Sequence, residues 1–385
     1  MHFIRLSFIT TMILSASFLW AQNFSIGHQQ TAFIDASRAN RSVGCEIYYP
    51  SDAAGDNVPL ASGSFPIVAF GHGFVMTASV YNLYWEGLVP EGYIVILPTS
   101  EGSLFPSHSE FGKDLAFLIQ SIQTASNQTG SDFYGHVSST SAVMGHSMGG
   151  GASFLAMQQD PNITALVALA PAETNPSAIA AAAGINRPAL IFSGLNDCVA
   201  PPSDHQLPMY NGLSSSCKSY LGIQGGDHCQ FASPNFNCTL GQSTCSPQAT
   251  ISSDEQQNLV LTHLLPWLDY YLKADCIQGE VFQVNIESSS VMEVMQNCSL
   301  SCGTTVISSG DQMVKLYPNP LGDALYWNVD TKWMGKAYQV VDATGRCMIT
   351  GVLGPDQLLL RTQQWSSGLY FLIIPGALTF KVTKE

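Results

Sequence analysis

The sequence predicts an α/β protein: a mainly parallel sheet covered by helices on both faces, followed by a small C-terminal β-sandwich. Three observations carry this. From about Thr31 to Cys276, apolar runs of strand length alternate with helical stretches, the signature of a sheet buried on both sides. Within that region the apolar run 141–144 enters Gly145-His146-Ser147-Met148-Gly149 and then an alanine- and leucine-bearing helix. Strand, G-x-S-x-G and helix in that order separate a nucleophile elbow from a chance pair of glycines. From Gln312 onward, short β-type runs are punctuated by turn signals at Asn319-Pro320, Gly322-Asp323, Gly345, Gly354-Pro355 and Gly368.

Taken in chain order, His2 and Arg5 precede the apolar stretch 6–20, so residues 1–21 read as a signal peptide ending near Ala21. That stretch is too short, and too near the terminus, for a permanent membrane span, and no later run is long and apolar enough. A catalytic domain is expected over 22–276. Its strands fall at 65–70, 93–97, 163–170, 188–193 and 219–224, besides the one before the elbow, and it closes with a helix at 253–274 that buries the aromatic and aliphatic residues of 264–272. Residues 277–310, with the run Ser288-Ser289-Ser290, read as a linker or a short bridging element, and 311–385 as the sandwich.

A serine hydroxyl is a weak nucleophile and needs a base, an orienting acid and an oxyanion hole. In this architecture the partners follow in the order serine, acid, histidine, each just past the carboxyl end of a strand. Asp197 follows the strand 188–193, and His228 follows 219–224 across Gly225-Gly226. Ser147, Asp197 and His228 are therefore the candidate catalytic residues. Two other acids compete for the orienting role: Asp227, which as the neighbour of the base points away from it, and Glu173, which follows the strand 163–170. Of the other histidines, His146 cannot reach round to its neighbour's hydroxyl, and His72 reads as a structural hydrogen bonder. His205 and His263 lack strand-end context, and His108 is placed on a loop after the strand 93–97, exposed there or else lining the cleft. For the oxyanion hole, the residue after the nucleophile gives the Met148 N–H, and Gly71-His72-Gly73-Phe74 after the strand 65–70 gives the Phe74 N–H.

Composition narrows the partners. A net charge of −14, with only 11% charged residues, leaves no basic stripe to release counterions from nucleic acid. The ten cysteines are heavy for a cytosolic enzyme and point to an oxidising compartment. Cys238 with Cys245, and Cys298 with Cys302, could close local disulfides. No C-x-x-C pair or histidine pair at ligand spacing suggests a metal, and the chemistry needs no cofactor.

Gly71-His72-Gly73-Phe74, the run Gly145 to Gly151, Asp197 and His228 together resemble the α/β-hydrolase branch of chlorophyllases, dienelactone-hydrolase relatives and bacterial cutinases, including polyester (PET) hydrolases. The similarity covers roughly residues 30 to 275. It implies an α/β-hydrolase fold and a secreted serine esterase, with Ser147 as nucleophile, Asp197 as acid, His228 as base, and Phe74 and Met148 at the oxyanion hole. Polyester hydrolases place a stacking tryptophan where this chain has Ala172-Glu173-Thr174, which predicts a preference for soluble esters over film. The chlorophyllases' arginine after the serine is also missing. If the acid and base loops meet, Cys198 and Cys229 come within reach of one another, as loops tied by a disulfide do in some polyester hydrolases, with Cys217 as a competing partner. At the C-terminus, Leu316-Tyr317-Pro318-Asn319-Pro320, Val341 to Gly345, Gly368 to Phe371 and Phe380 to Lys384 resemble the sorting domain of the Bacteroidetes type IX secretion system. That implies the secretion machinery as a partner and a secreted or surface-attached location. Two other readings stay open: a peptidase or amidase on the same triad, and an exported binding protein without catalysis.

Overall fold

The computed structural model describes residues 24–301 and, further on, 314–317, 321–322, 324–329, 335–343, 345–354, 358–374 and 378–384. The expected signal peptide, Cys302, the second part of the expected linker and the turns at Asn319-Pro320, Asp323 and Pro355 lie outside the described residues.

The chain opens with β1 (Ser25–Asp35), β2 (Arg41–Ser51) and the short β3 (Gly55–Asp56). Strands and helices then alternate: β4 (Phe65–Gly71), α1 (Asn82–Leu88), β5 (Ile94–Pro98), α2 (His108–Ala125), β6 (Val137–His146), α3 (Met148–Gln159), β7 (Ala165–Leu169) and α4 (Ala178–Ala182). They continue as β8 (Ala189–Gly194), α5 (Gln206–Gly212), β9 (Lys218–Ile223), α6 (Phe236–Gln242), α7 (Ser253–Leu272), α8 (Cys276–Ser288) and β10 (Met292–Gln296). One sheet of ten strands runs in the order β10-β9-β8-β7-β6-β4-β5-β2-β1-β3. The six central strands β9, β8, β7, β6, β4 and β5 are parallel, and β2 and β10 join them antiparallel at either side.

The apolar runs become strands because the sheet is buried on both faces. In β4, Ile67 and Ala69 enter one core while Val68 and Phe70 enter the other; in β8, Ala189 and Ile191 oppose Leu190 and Phe192. The first core is roofed by α2 to α5 through residues such as Phe111, Leu115, Phe154 and Met209. The second is roofed by α1, α7 and α8 through Tyr84, Leu264, Trp267 and Phe282. Helix α7 starts where its capping chemistry requires: the Ser252 hydroxyl accepts the Glu255 N–H at 3.2 Å, and Asp254 and Glu255 face the positive end of the helix.

The expectation of a linker from residue 277 is corrected by the structure. Helix α8 packs Val281, Phe282 and Ile286 inward, and β10 pairs with β9 from Met292↔Ile223 to Gln296↔Ser219. The polar triplet Ser288 to Ser290 is only the turn between them. The apolar spacing of α8 was obscured by its intervening glutamines, glutamates and asparagine.

Beyond this sheet, β11 (Val314–Tyr317), β12 (Ala324–Val329) and β15 (Leu358–Arg361) form one antiparallel sheet. A second, in the order β14-β13-β16-β17, holds β13 (Ala337–Asp342), β14 (Cys347–Val352), β16 (Gly368–Ile374) and β17 (Leu378–Lys384). Leu325, Val340, Trp365, Leu372 and Val382 share a core of their own. A smaller cluster joins the two parts of the molecule, with Val281 of α8 against Val341, Phe371 and Ile373. No helix among the described residues is long and apolar enough to cross a membrane.

Candidate active site

The parallel strands run the same way, so the loops that leave them gather along one rim of the sheet. Ser147 is the single residue between β6 and α3. Its φ of 55° and ψ of −120° lie outside the favoured regions for a side-chain-bearing residue. The flanking glycines make this turn possible: a Cβ on Gly145 would strike the Gly149 carbonyl, and one on Gly149 would strike the Gly71 carbonyl. The backbone is pinned by Ser147 N–H to the Leu169 carbonyl at 3.0 Å and by Gly151 and Ala172 N–H groups to the Ser147 carbonyl.

Three of the residues singled out from sequence meet here. His228 Nε2 lies 2.9 Å from Ser147 Oγ, and His228 Nδ1 lies 2.7 Å from Asp197 Oδ2. Asp197 is fixed from behind, since its Oδ1 accepts the N–H groups of Val199 at 2.9 Å and Ala200 at 2.8 Å. Both His228 and Asp197 are buried. The competing acids point elsewhere. Asp227 accepts from the Gln230 N–H and the Gln242 side chain, and Glu173 accepts from the Ile179 N–H. Met148 is the first residue of α3, where an N–H has no intrahelical acceptor and the helix dipole favours negative charge. Phe74 sits across the cleft, its preceding carbonyl, that of Gly73, accepting the Met76 N–H at 3.1 Å.

The remaining histidines are structural in several ways. His72 is buried with its ring nitrogens against the carbonyls of Gly73 and Ser100. His108 is not on an exposed loop: it is the first residue of α2, half-buried, and its Nδ1 accepts the Asn175 N–H at 3.0 Å. His205 Nδ1 likewise accepts the Glu173 N–H at 2.8 Å. The segment following β7 thus hangs between two imidazoles. His263 Nδ1 lies against the Leu259 carbonyl within α7.

The disulfides also differ from expectation. Cys198 and Cys229 do not join each other; Cys198 bonds Cys245 and Cys229 bonds Cys238. Because Asp197 and His228 point toward one another, the residues after them point outward, to the segment carrying α6. This also removes the expected local Cys238–Cys245 pair. Cys298 bonds Cys217, tying the strand after α8 to the start of β9.

The segment 229–245 is the part of the site that sequence reading missed. With Cys238, Leu240 and Gly241 it walls an apolar cavity of about 370 Å³ above Ser147, faced by Phe74, Met76 and Leu104. Asn237 Nδ2 donates to the Val75 carbonyl at 2.8 Å, bridging the two walls. The rim leaves apolar surface in solvent: Leu104 is 67% exposed, Phe105 92%, Phe236 77% and Leu240 61%. Three cysteines at 229, 238 and 245 were the available signal that this stretch is braced. Gln206 was missed as well. Fully buried, it donates to the carbonyls of Pro171 and Ala200 and accepts from Ser193, joining the loops after β7 and β8. Among the described residues no group of three or more histidine, cysteine or acidic side chains could hold a metal ion.

The PET hydrolase-like family matches residues 16–249, and a secretion-system C-terminal sorting domain matches residues 315–385. Cutinase 1 of Thermobifida cellulosilytica is 30% identical over 206 residues, covering 53% of this chain and 71% of the relative. A cutinase of Thermobifida fusca is 30% identical over 206 residues, with 53% and 62% covered. The bis(hydroxyethyl) terephthalate hydrolase of Streptomyces coelicolor is 28% identical over 206 residues, with 53% and 60% covered. The chain thus spans less than two thirds of the length of the last two.

Proposed function

Since the chain belongs to the PET hydrolase-like family and is a carboxylic ester hydrolase, we propose that Ser147, His228 and Asp197 are its catalytic triad. The observation that carries this is the unbroken pair of contacts, 2.9 Å from Ser147 to His228 and 2.7 Å from His228 to Asp197, at the floor of the apolar cavity. His228 Nε2 takes the Ser147 proton as Oγ attacks the ester carbonyl. Asp197 holds Nδ1–H and balances the charge that appears on the ring. The carbonyl oxygen, now an oxyanion, is received by the N–H groups of Phe74 and Met148. His228 returns the proton to the leaving alcohol, and an acyl group remains on Ser147. Water activated by the same imidazole releases the acid and restores the serine. No cofactor enters.

The substrate we assign is an ester with an apolar acyl group, supported by the Phe74, Met76, Leu104 and Leu240 walls. The domain division that fits is a catalytic unit reaching to about residue 300, followed by the sorting domain that addresses the protein to type IX secretion and the cell surface or beyond. A p-nitrophenyl ester assay on purified protein, with Ser147→Ala and His228→Ala beside it, tests the reading. Both variants should lose nearly all turnover, because triad members act as a unit. A fluorophosphonate should label the parent protein and not Ser147→Ala. Labelling at another serine would overturn the assignment.

A further inference from the structure

Beneath the elbow, one chain of hydrogen bonds joins three segments that the proposed reaction needs in register. His146 is wholly buried, so its ring must find partners inside the protein. Its Nε2 lies 3.0 Å from the His228 carbonyl oxygen. A carbonyl only accepts, so Nε2 carries the proton. Burial, and behind it the charge of His228, hold His146 well below the ordinary imidazole range, so the ring is neutral and Nδ1 is bare. Nδ1 therefore accepts the Tyr81 hydroxyl proton at 2.9 Å. With that proton committed, Tyr81 Oη accepts the Gly73 N–H at 2.8 Å. The sulfur of Met76, 3.2 Å from Tyr81 Oη, is a weaker acceptor than the imidazole. Space is tight around this chain: a Cβ on Gly73 would stand 2.6 Å from Met76 Sδ and 3.0 Å from Tyr81 Oη.

We propose that Tyr81 and His146 are positioning residues that set the oxyanion loop and the catalytic base relative to Ser147. Gly73 is held at its N–H by Tyr81 and at its carbonyl by the Met76 N–H. The peptide it shares with Phe74 is therefore fixed in orientation, and the Phe74 N–H, opposite the carbonyl across a trans peptide, is fixed with it. The same imidazole that anchors Tyr81 holds the backbone of His228 and belongs to the residue before Ser147. Nucleophile, base and oxyanion donor thus share one buried reference point, and neither side chain touches substrate.

This proposal rests on the triad reading, and the parent enzyme separates the two: absence of esterase activity there sinks the triad, whereas an active parent with unaffected variants sinks only the positioning role. Tyr81→Phe and His146→Phe would be assayed on a soluble ester, with active sites counted by fluorophosphonate titration. The expected result is a kcat per labelled site about tenfold lower, part of the hundredfold that loss of a whole oxyanion donor costs. KM should change little, and the double variant should be no worse than the worse single one. Side chains that only stabilise the fold would lower the melting temperature and the number of labelled sites but leave kcat per site unchanged; that outcome overturns the proposal. If neither variant folds, the parent labelled with ¹⁵N-histidine decides. His146 should give an Nε2–H signal that does not titrate between about pH 5 and pH 8, and an Nδ1–H form or a titrating ring would overturn the proposal.

Discussion

Replacing both Cys198 and Cys245 by serine removes the bond that ties the residue after Asp197 to the far end of the α6 segment. The two cysteines are 47 residues apart. In the chain-entropy relation, a loop of that length contributes about 4 kcal/mol, by restricting the unfolded chain. The same relation gives about 4.5 kcal/mol for Cys217–Cys298, 81 residues apart, and about 2.6 kcal/mol for Cys229–Cys238, nine apart. At roughly 2–4 °C per kcal/mol for a domain of this size, the first pair should lower the melting temperature by roughly 8–16 °C. Turnover of a short ester near room temperature should survive, because Asp197 Oδ1 keeps its bonds to Val199 and Ala200 after the disulfide is gone. Calorimetry of the three serine-pair variants, with the p-nitrophenyl assay on each, measures both effects. A smaller loss for the Cys198 pair than for the Cys229 pair would refute the entropic account. Loss of most turnover in the Cys198 pair would show instead that the disulfide, not the backbone amides, aims the acid.

Two further outcomes are expected. Stacking of an aromatic pair is worth about 0.5–1.5 kcal/mol beyond area burial, and Ala172 offers no ring for it; terephthalate-type esters should bind up to about tenfold more weakly than in an enzyme with a tryptophan there, with soluble esters favoured over film. Comparable release from film and from soluble ester would contradict this. Stability should also fall on acidification through the buried imidazoles. Burial lowers the folded pKa of His146 and of His263, so below about pH 6.5 the unfolded chain binds protons that the folded chain refuses, and stability present above that pH is lost at about 1.4 kcal/mol per pH unit for His146 alone. Melting curves from neutral to acidic pH should show His146→Phe with the shallower slope; equal slopes would refute the neutral ring.

The residues proposed as nucleophile, acid and base could be picked out because each is a local event: an apolar run that ends, and a chemistry-bearing residue within a few positions of that end. Ser147, Asp197 and His228 could be proposed one at a time, and the parallel sheet brings them together. The boundary at residue 277 was misread because α8 is buried on its Val281, Phe282 and Ile286 side while Gln278, Glu280 and Asn285 dominate its composition. The disulfides were misread for a geometric reason. Adjacent side chains diverge, so convergence of Asp197 on His228 carries Cys198 and Cys229 apart. Tyr81 was invisible for another: a tyrosine in a run of apolar and small residues reads as core until the position of Gly73 and His146 is known.

The placement of α8 and β10 changes where the molecule can be divided. By composition the catalytic part ends after α7. Cut there, β9 would lose its partner from Ser219 to Ile223 and present an unpaired edge of the kind that templates association with other chains. Cys217 would keep a thiol in place of its bond to Cys298, and Phe282 would leave a hollow in the core it shares with Trp267. Released instead beyond Leu300, the same part keeps its edge closed and its core filled, and among the described residues uncovers the patch of α8 around Val281 that Phe371 and Ile373 had covered. On the domain division proposed above, the seam lies about one helix and one strand later than the alternating pattern suggests.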